Sequence, residues 1–190
     1  TYDSGMQVLA GECAQHIPAS ALLRDPSLRP LRVAGAALGQ SGDILLSPAH
    51  CLLFQSPKAE MLFASREVLV RARHLETVGH ARSELPRGGV TYHHLLFARH
   101  ELVLADGFWS ETYLNTGTGA DDIAAGADWQ TKGDQPLRSV PHDRAARRIL
   151  RSYEADVLMD GTAPAIRSAR SAQDARTWRH VSYVGRAAAR

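Results

Sequence analysis

Between residues 44 and 113 the apolar side chains come in short runs of strand length, each stopped by turn-forming residues. Ile44 to Leu46 and Cys51 to Phe54 are two such runs, and Pro48 forces a break in the Ser47-Pro48-Ala49-His50 stretch between them. Residues 67–71 (EVLVR) make a third. Residues 90–97 and 101–105 flank Ala98-Arg99-His100 and predict a hairpin. Asp106-Gly107 is a strong two-residue turn signal, and the pattern resumes as a strand from Phe108. Upstream, residues 5–40 are broken by Pro18, Pro26, Pro30 and several glycines and read as short strands and loops. Within them, residues 31–38 read as a short strand entering a helical turn. Short strands at this spacing, with no long helix among them, predict a mostly β domain of strands and hairpins.

The pattern changes after residue 115. Residues 115–137 are rich in Gly, Thr and Asp and read as a loop or linker. Ala146, Ile149, Leu150, Tyr153 and Val157 then recur near helical spacing and predict a helix over 142–158. The division expected is a β domain over 1–115, a linker over 116–141, and a C-terminal helix with a tail over 142–190.

Composition narrows the class. At 190 residues, 44% of them hydrophobic, the chain suits one globular domain with a tail. No run of 18 apolar residues occurs, so no membrane span is expected, and no basic-then-apolar leader follows Thr1. Two cysteines, Cys13 and Cys51, do not make a disulfide scaffold, and no CxxC pair suggests zinc. The net charge of +2 hides an asymmetry: residues 1–137 carry 11 basic and 15 acidic side chains, residues 138–190 carry 11 and 5. A basic tail can attract nucleic acid, but no aromatic interleaving accompanies these arginines, so a solvated tail without a nucleic-acid partner is expected.

Two stretches carry candidate chemistry. In the first, Ser47 stands three residues before His50 on a turn after an apolar run. An imidazole there can give a proton to the nitrogen of a breaking amide, and a nearby hydroxyl can hydrogen-bond the amide or its oxyanion. Read alone, the same residues also fit a hairpin turn with a surface histidine. The second stretch runs from Tyr92-His93-His94 through His100-Glu101 and Asp106-Gly107 to Ser110-Glu111-Thr112-Tyr113. Cys51 would point to the opposite strand face from His50, and free cysteines are usually buried and inert. His93 and His94 are adjacent and face opposite ways, and no HExxH motif accompanies them, so neither metal nor cofactor is expected. Gly39-Gln40-Ser41-Gly42 is not GxSxG, and Gly117-Thr118-Gly119 lacks a third glycine.

Together these stretches resemble the Hint (hedgehog/intein) family, in its bacterial hedgehog/intein-like form. Ser47 to His50 is similar to the family's TxxH block, with Ser in place of Thr. Residues 92–113 resemble its C-terminal hairpin, and residues 67–75 the strand between the two. Thr1-Tyr2-Asp3-Ser4-Gly5 resembles the segment after the first block, so the likeness covers roughly residues 1–115. It implies a Hint-type fold and self-cleavage by N-to-S acyl shift, with the protein's own upstream polypeptide as substrate. In that scheme His50 is the proton donor to the leaving amide, Ser47 a polar orienter, and His100 a second acid/base or a structural hydrogen-bonder. Two departures matter. The family begins with a nucleophilic Cys or Ser, expected some tens of residues before Thr1, and inteins end in His-Asn where this chain has residues near Glu111 and Thr112. Intein-type splicing is therefore not expected, and the chain is expected to be silent without its upstream cysteine. The alternative is a non-catalytic remnant serving as a binding or spacer module.

Overall fold

A computed structural model describes residues 1–114, 128–131, 142 and 144–160. Along the chain run β1 (Gly11–Ile17), α1 (Ala19–Arg24), β2 (Leu31–Val33), β3 (Ile44–Leu46), β4 (Cys51–Gln55), α2 (Pro57–Phe63), β5 (Glu67–Arg71), α3 (Ala72–Thr77) and β6 (Ala81–Ser83). Then come β7 (Val90–Leu96), β8 (Leu102–Ala105), β9 (Phe108–Glu111), β10 (Asp128–Thr131), β11 (Arg148–Ile149) and α4 (Ser152–Met159). The strands form three sheets, ordered β10-β1-β7, β11-β5-β4-β9-β8 and β3-β2-β6. The mostly β architecture with a C-terminal helix agrees with the patterning of residues 44–113.

The five-stranded sheet is the centre of the molecule. Leu52, Leu53 and Phe54 of β4 and Val68, Leu69 and Val70 of β5 are all fully buried. Such unbroken apolar runs belong to strands covered on both faces. On one face Leu52, Phe54, Val68 and Val70 join the main core with Leu31, Ile44, Leu75 and Phe108. On the other, Cys51, Leu53, Leu69 and Leu102 pack under Tyr2, Trp109, Ala146 and Ile149. The start of the chain and the Ala146–Ile149 stretch thus cover the second face together with Trp109. Arg147 ties them together, reaching Asp3 at 2.6 Å and Glu67 at 2.7 Å.

Local chemistry sets the corners. The Ser56 side chain caps α2 by accepting from Lys58 N–H, with Pro57 at its first position, where no intrahelical donor is needed. The β8–β9 hairpin turns on Asp106 (φ 49°) and Gly107 (φ 89°), the positive-φ pair that matches strand twist in a two-residue turn.

Three expectations change. Residues 90–97 and 101–105 do not pair with each other. β7 pairs with β1 along its length, and β8 pairs with β9. The chain changes sheets at 98–101, where His100 and Glu101 are buried rather than exposed on a hairpin tip. Thr112 holds this corner, accepting Glu101 N–H on its hydroxyl and giving its own N–H to Glu101 O. The C-terminal helix begins at Ser152, not 142. Arg148–Ile149 instead runs parallel to β5, and Ala155, Leu158 and Met159 enter the main core while Tyr153 and Val157 stay exposed. Pairing with an open sheet edge outweighs the helical spacing of Ala146 and Ile149. Within the expected linker, residues 128–131 form β10 against β1. Residues 161–190 of the basic tail lie outside the described residues.

Candidate functional site

His50 sits at the end of a tight turn. Its N–H donates to Ser47 O at 3.1 Å, and the turn is fastened to the start of α3 by Ala72 N–H to His50 O (2.8 Å) and Arg73 N–H to Pro48 O (3.1 Å). The ring is buried, and Nε2 lies 2.6 Å from the buried Ser110 Oγ on β9. Nδ1 makes no hydrogen bond among the described residues. Burial holds the His50 pKa below the usual imidazole range; the Glu111 carboxylate works against this, and His100 adds to it.

Glu111 follows Ser110 directly and is the hub of the cluster. Its Oε1 accepts Cys51 N–H at 2.9 Å, and its Oε2 lies 3.5 Å from His100 Nε2. Burial, the largest single influence, pushes its pKa up. The His100 hydrogen bond, the fields of both histidines and the Cys51 bond outweigh it, so the carboxylate titrates below its ordinary range. A half-buried, ionised carboxylate within reach of the charge of two imidazoles stabilises positive charge on either ring.

His100 is buried at the corner between β7 and β8. Its Nε2 lies 3.1 Å from Thr112 O, and Ala146 N–H donates to its Nδ1 at 2.8 Å. His142 stands next to it, ring centres 6.3 Å apart, with its Nε2 3.0 Å from Phe97 O.

His94, on β7 opposite Cys13, joins the same neighbourhood. Its pKa is pushed down to about 4, by burial first and then by the field of His50; Glu111 opposes and His93 adds. Its ring meets Tyr113 edge-on at 6.0 Å.

Among the residues singled out in the sequence, His50 and His100 come close enough that the charge of His100 acts on the His50 ring, and both act on Glu111. Ser47 is half-buried in the turn; its carbonyl closes the turn, and its hydroxyl makes no hydrogen bond among the described residues. The hydroxyl that touches His50 belongs to Ser110. Neither Cys13 nor Cys51 is in a disulfide and both are buried; burial, with Glu111 beside it, raises the Cys51 thiol pKa well above the ordinary value. Such a thiol stays protonated and is a poor nucleophile. In the sequence Ser110 and Glu111 stand only as part of the second stretch, His94 is weighed as half of a metal pair, and Ala146 counts in a helix; the contacts each makes here are not foreseen there. A Ser-Glu pair inside an apolar strand was the available signal for the first two. Ala146 acts through its main chain, which leaves no mark in side-chain pattern.

Among the described residues no group of three or more His, Cys, Asp and Glu side chains is arranged to hold a metal ion, and no helix is long and apolar enough to cross a membrane. A family model described as Hint domain matches residues 1–117, more than half of the chain. No curated protein and no solved structure matches it.

Proposed function

Since the chain belongs to the Hint domain family, we propose that it is the catalytic body of a self-processing protein that breaks a peptide bond in its own upstream polypeptide by N-to-S acyl shift. The observation that carries this reading is the gathering of His50 and His100 about the half-buried Glu111, with Ser110 on the His50 ring.

The roles follow from the geometry. With His50 Nε2–H donating to Ser110 Oγ, Nδ1 is left as a base. A thiol beside the scissile carbonyl gives its proton to Nδ1 and attacks the carbonyl carbon. As the S–C bond forms the C–N bond breaks, and the freed amine takes the proton back from the imidazolium. Glu111 stabilises that transient cation, and its burial strengthens the effect. A depressed His50 pKa suits both halves, because the ring is neutral before attack and a ready acid after it. The half-buried Ser47 hydroxyl is the polar group that meets the amide or its oxyanion. The resulting thioester then passes to water or another nucleophile.

Neither Cys13 nor Cys51 is the nucleophile, since both thiols are buried. Residues 1–190 by themselves are therefore silent. Joined to a segment that places a cysteine beside the scissile carbonyl, they cleave before that cysteine, faster with dithiothreitol or hydroxylamine. His50→Ala slows thioester formation about 10²–10⁴-fold, the range of a general acid or base. The same buried thiols favour a second reading, a non-catalytic binding or spacer module. Mass spectrometry of the joined protein decides between them: an intact chain after long incubation leaves the second reading standing.

A further inference from the structure

We infer that His142 and residues 144–150 are a working part of the site, and that the main-chain N–H of Ala146 is a positioning group that fixes the tautomer of His100. The stretch lies outside residues 1–117, which match the family. Both ring nitrogens of His100 have partners of fixed polarity. A carbonyl oxygen can only accept, so Nε2, 3.1 Å from Thr112 O, carries the hydrogen. A peptide N–H can only donate, so Nδ1, at 2.8 Å from Ala146 N, carries the lone pair. One tautomer satisfies both. It also turns an N–H toward Glu111 Oε2 at 3.5 Å, and so helps set the carboxylate whose charge acts on His50.

Ala146 is held on both sides. Ahead of it, His142 Nε2 lies 3.0 Å from Phe97 O. Behind it, Arg147 spans Asp3 and Glu67, β11 pairs with β5, and Leu150 N–H donates to Leu69 O at 2.9 Å. Leu150 is fully buried, and Arg71 donates to its carbonyl at 3.2 Å. A loosely attached strand would not place a single N–H this closely; one clamped to the central sheet does.

The consequence for cleavage rests on the function proposed above, whereas the tautomer is measured separately. In the ¹⁵N-labelled chain of 190 residues, NMR is expected to show a scalar coupling between Ala146 N and His100 Nδ1, with the ring in the Nε2–H form. Ala146→Pro removes the donor. The ring then loses its single-tautomer pattern, whereas Ala146→Gly, which keeps the N–H, retains it. In the protein joined to its nucleophile, Ala146→Pro slows thioester formation about tenfold or more, as loss of orientation does. A folded parent chain without the coupling, or a Pro variant with an unchanged tautomer, overturns the inference. Should the Pro variant not fold, the coupling in the parent chain decides alone. A joined protein that shows the coupling but never cleaves leaves this inference intact and removes the proposed function.

Discussion

Glu111 accepts the main-chain N–H of Cys51 at 2.9 Å, so the last residue of β9 grips the chain one step past His50. The same carboxylate whose field raises the His50 pKa therefore also holds the start of β4, the strand that follows His50.

Glu111→Gln tests this joint role. The amide keeps the volume but loses the charge, and about 1–3 kcal/mol of stability should go with the charge-assisted bonds. Because the carboxylate titrates lower folded than unfolded, its contribution is present above the ordinary value of 4.5 and is lost as pH falls through the folded pKa. Denaturant melts should show a wide gap between the two proteins at pH 7 that closes in acid. The His50 pKa, which Glu111 raises, should fall further in the variant. A gap that does not change with pH would contradict the ionised carboxylate.

Ser110→Ala removes the group 2.6 Å from His50 Nε2. In the joined, cleaving protein it should slow thioester formation by about 10–100-fold through lost orientation of the ring, more than Ser47→Ala does. Rates for the two variants side by side are the measurement. The larger loss from Ser47→Ala would return the orienting role to the turn.

His94 predicts an acid-sensitive fold. Its pKa falls from 6.5 to about 4 on folding, so the unfolded chain binds its proton first. Stability is full above pH 6.5 and declines as pH drops through about 4, on the order of 1–3 kcal/mol for a ring that is only half-buried. His50 adds to the same trend. His94→Asn should flatten the stability curve across this window, and an unchanged slope would refute the assignment.

Leu150→Ala should cost about 2–5 kcal/mol, the usual loss for a buried leucine. The melt of the whole β body should move with it, because Leu150 shares its core with Leu52, Phe54 and Phe108. Exposed Val157 on α4 is the comparison, and Val157→Ala should shift stability by less than about 0.5 kcal/mol.

Much of this fold was legible in the chain. Strands β3, β4, β5, β8 and β9 appear as apolar runs, and Asp106-Gly107 marks its turn because few residues tolerate positive φ. Pairing was not legible. The same alternation in residues 90–97 fits a hairpin with 101–105 or a ladder with β1, and only the buried corner at His100 and Glu101 separates the two. The C-terminal segment misled for a related reason. Ala146, Ile149 and Leu150 fit a helical stripe, yet an open edge at β5 offers backbone partners that local pattern does not reveal. At the site, the His50 and His100 motifs stood out. Their actual partners are a serine, a carboxylate and a peptide N–H, residue types too common in sequence to stand out before the fold brings them together.

The distance in sequence between His100 and Ala146, 46 residues, has a consequence in time. A ribosome makes Thr112 soon after His100, but it makes Ala146 near the end of the described chain, and Asp3 waits 144 residues for Arg147. A nascent chain halted after β9 carries His50, His94, His100, Glu111 and Ser110, yet His100 Nδ1 has no peptide donor and one face of the central sheet lacks its Ile149 cover. The order of synthesis thus keeps the site unfinished while earlier segments are still emerging, and couples its completion to translation of the last clamp.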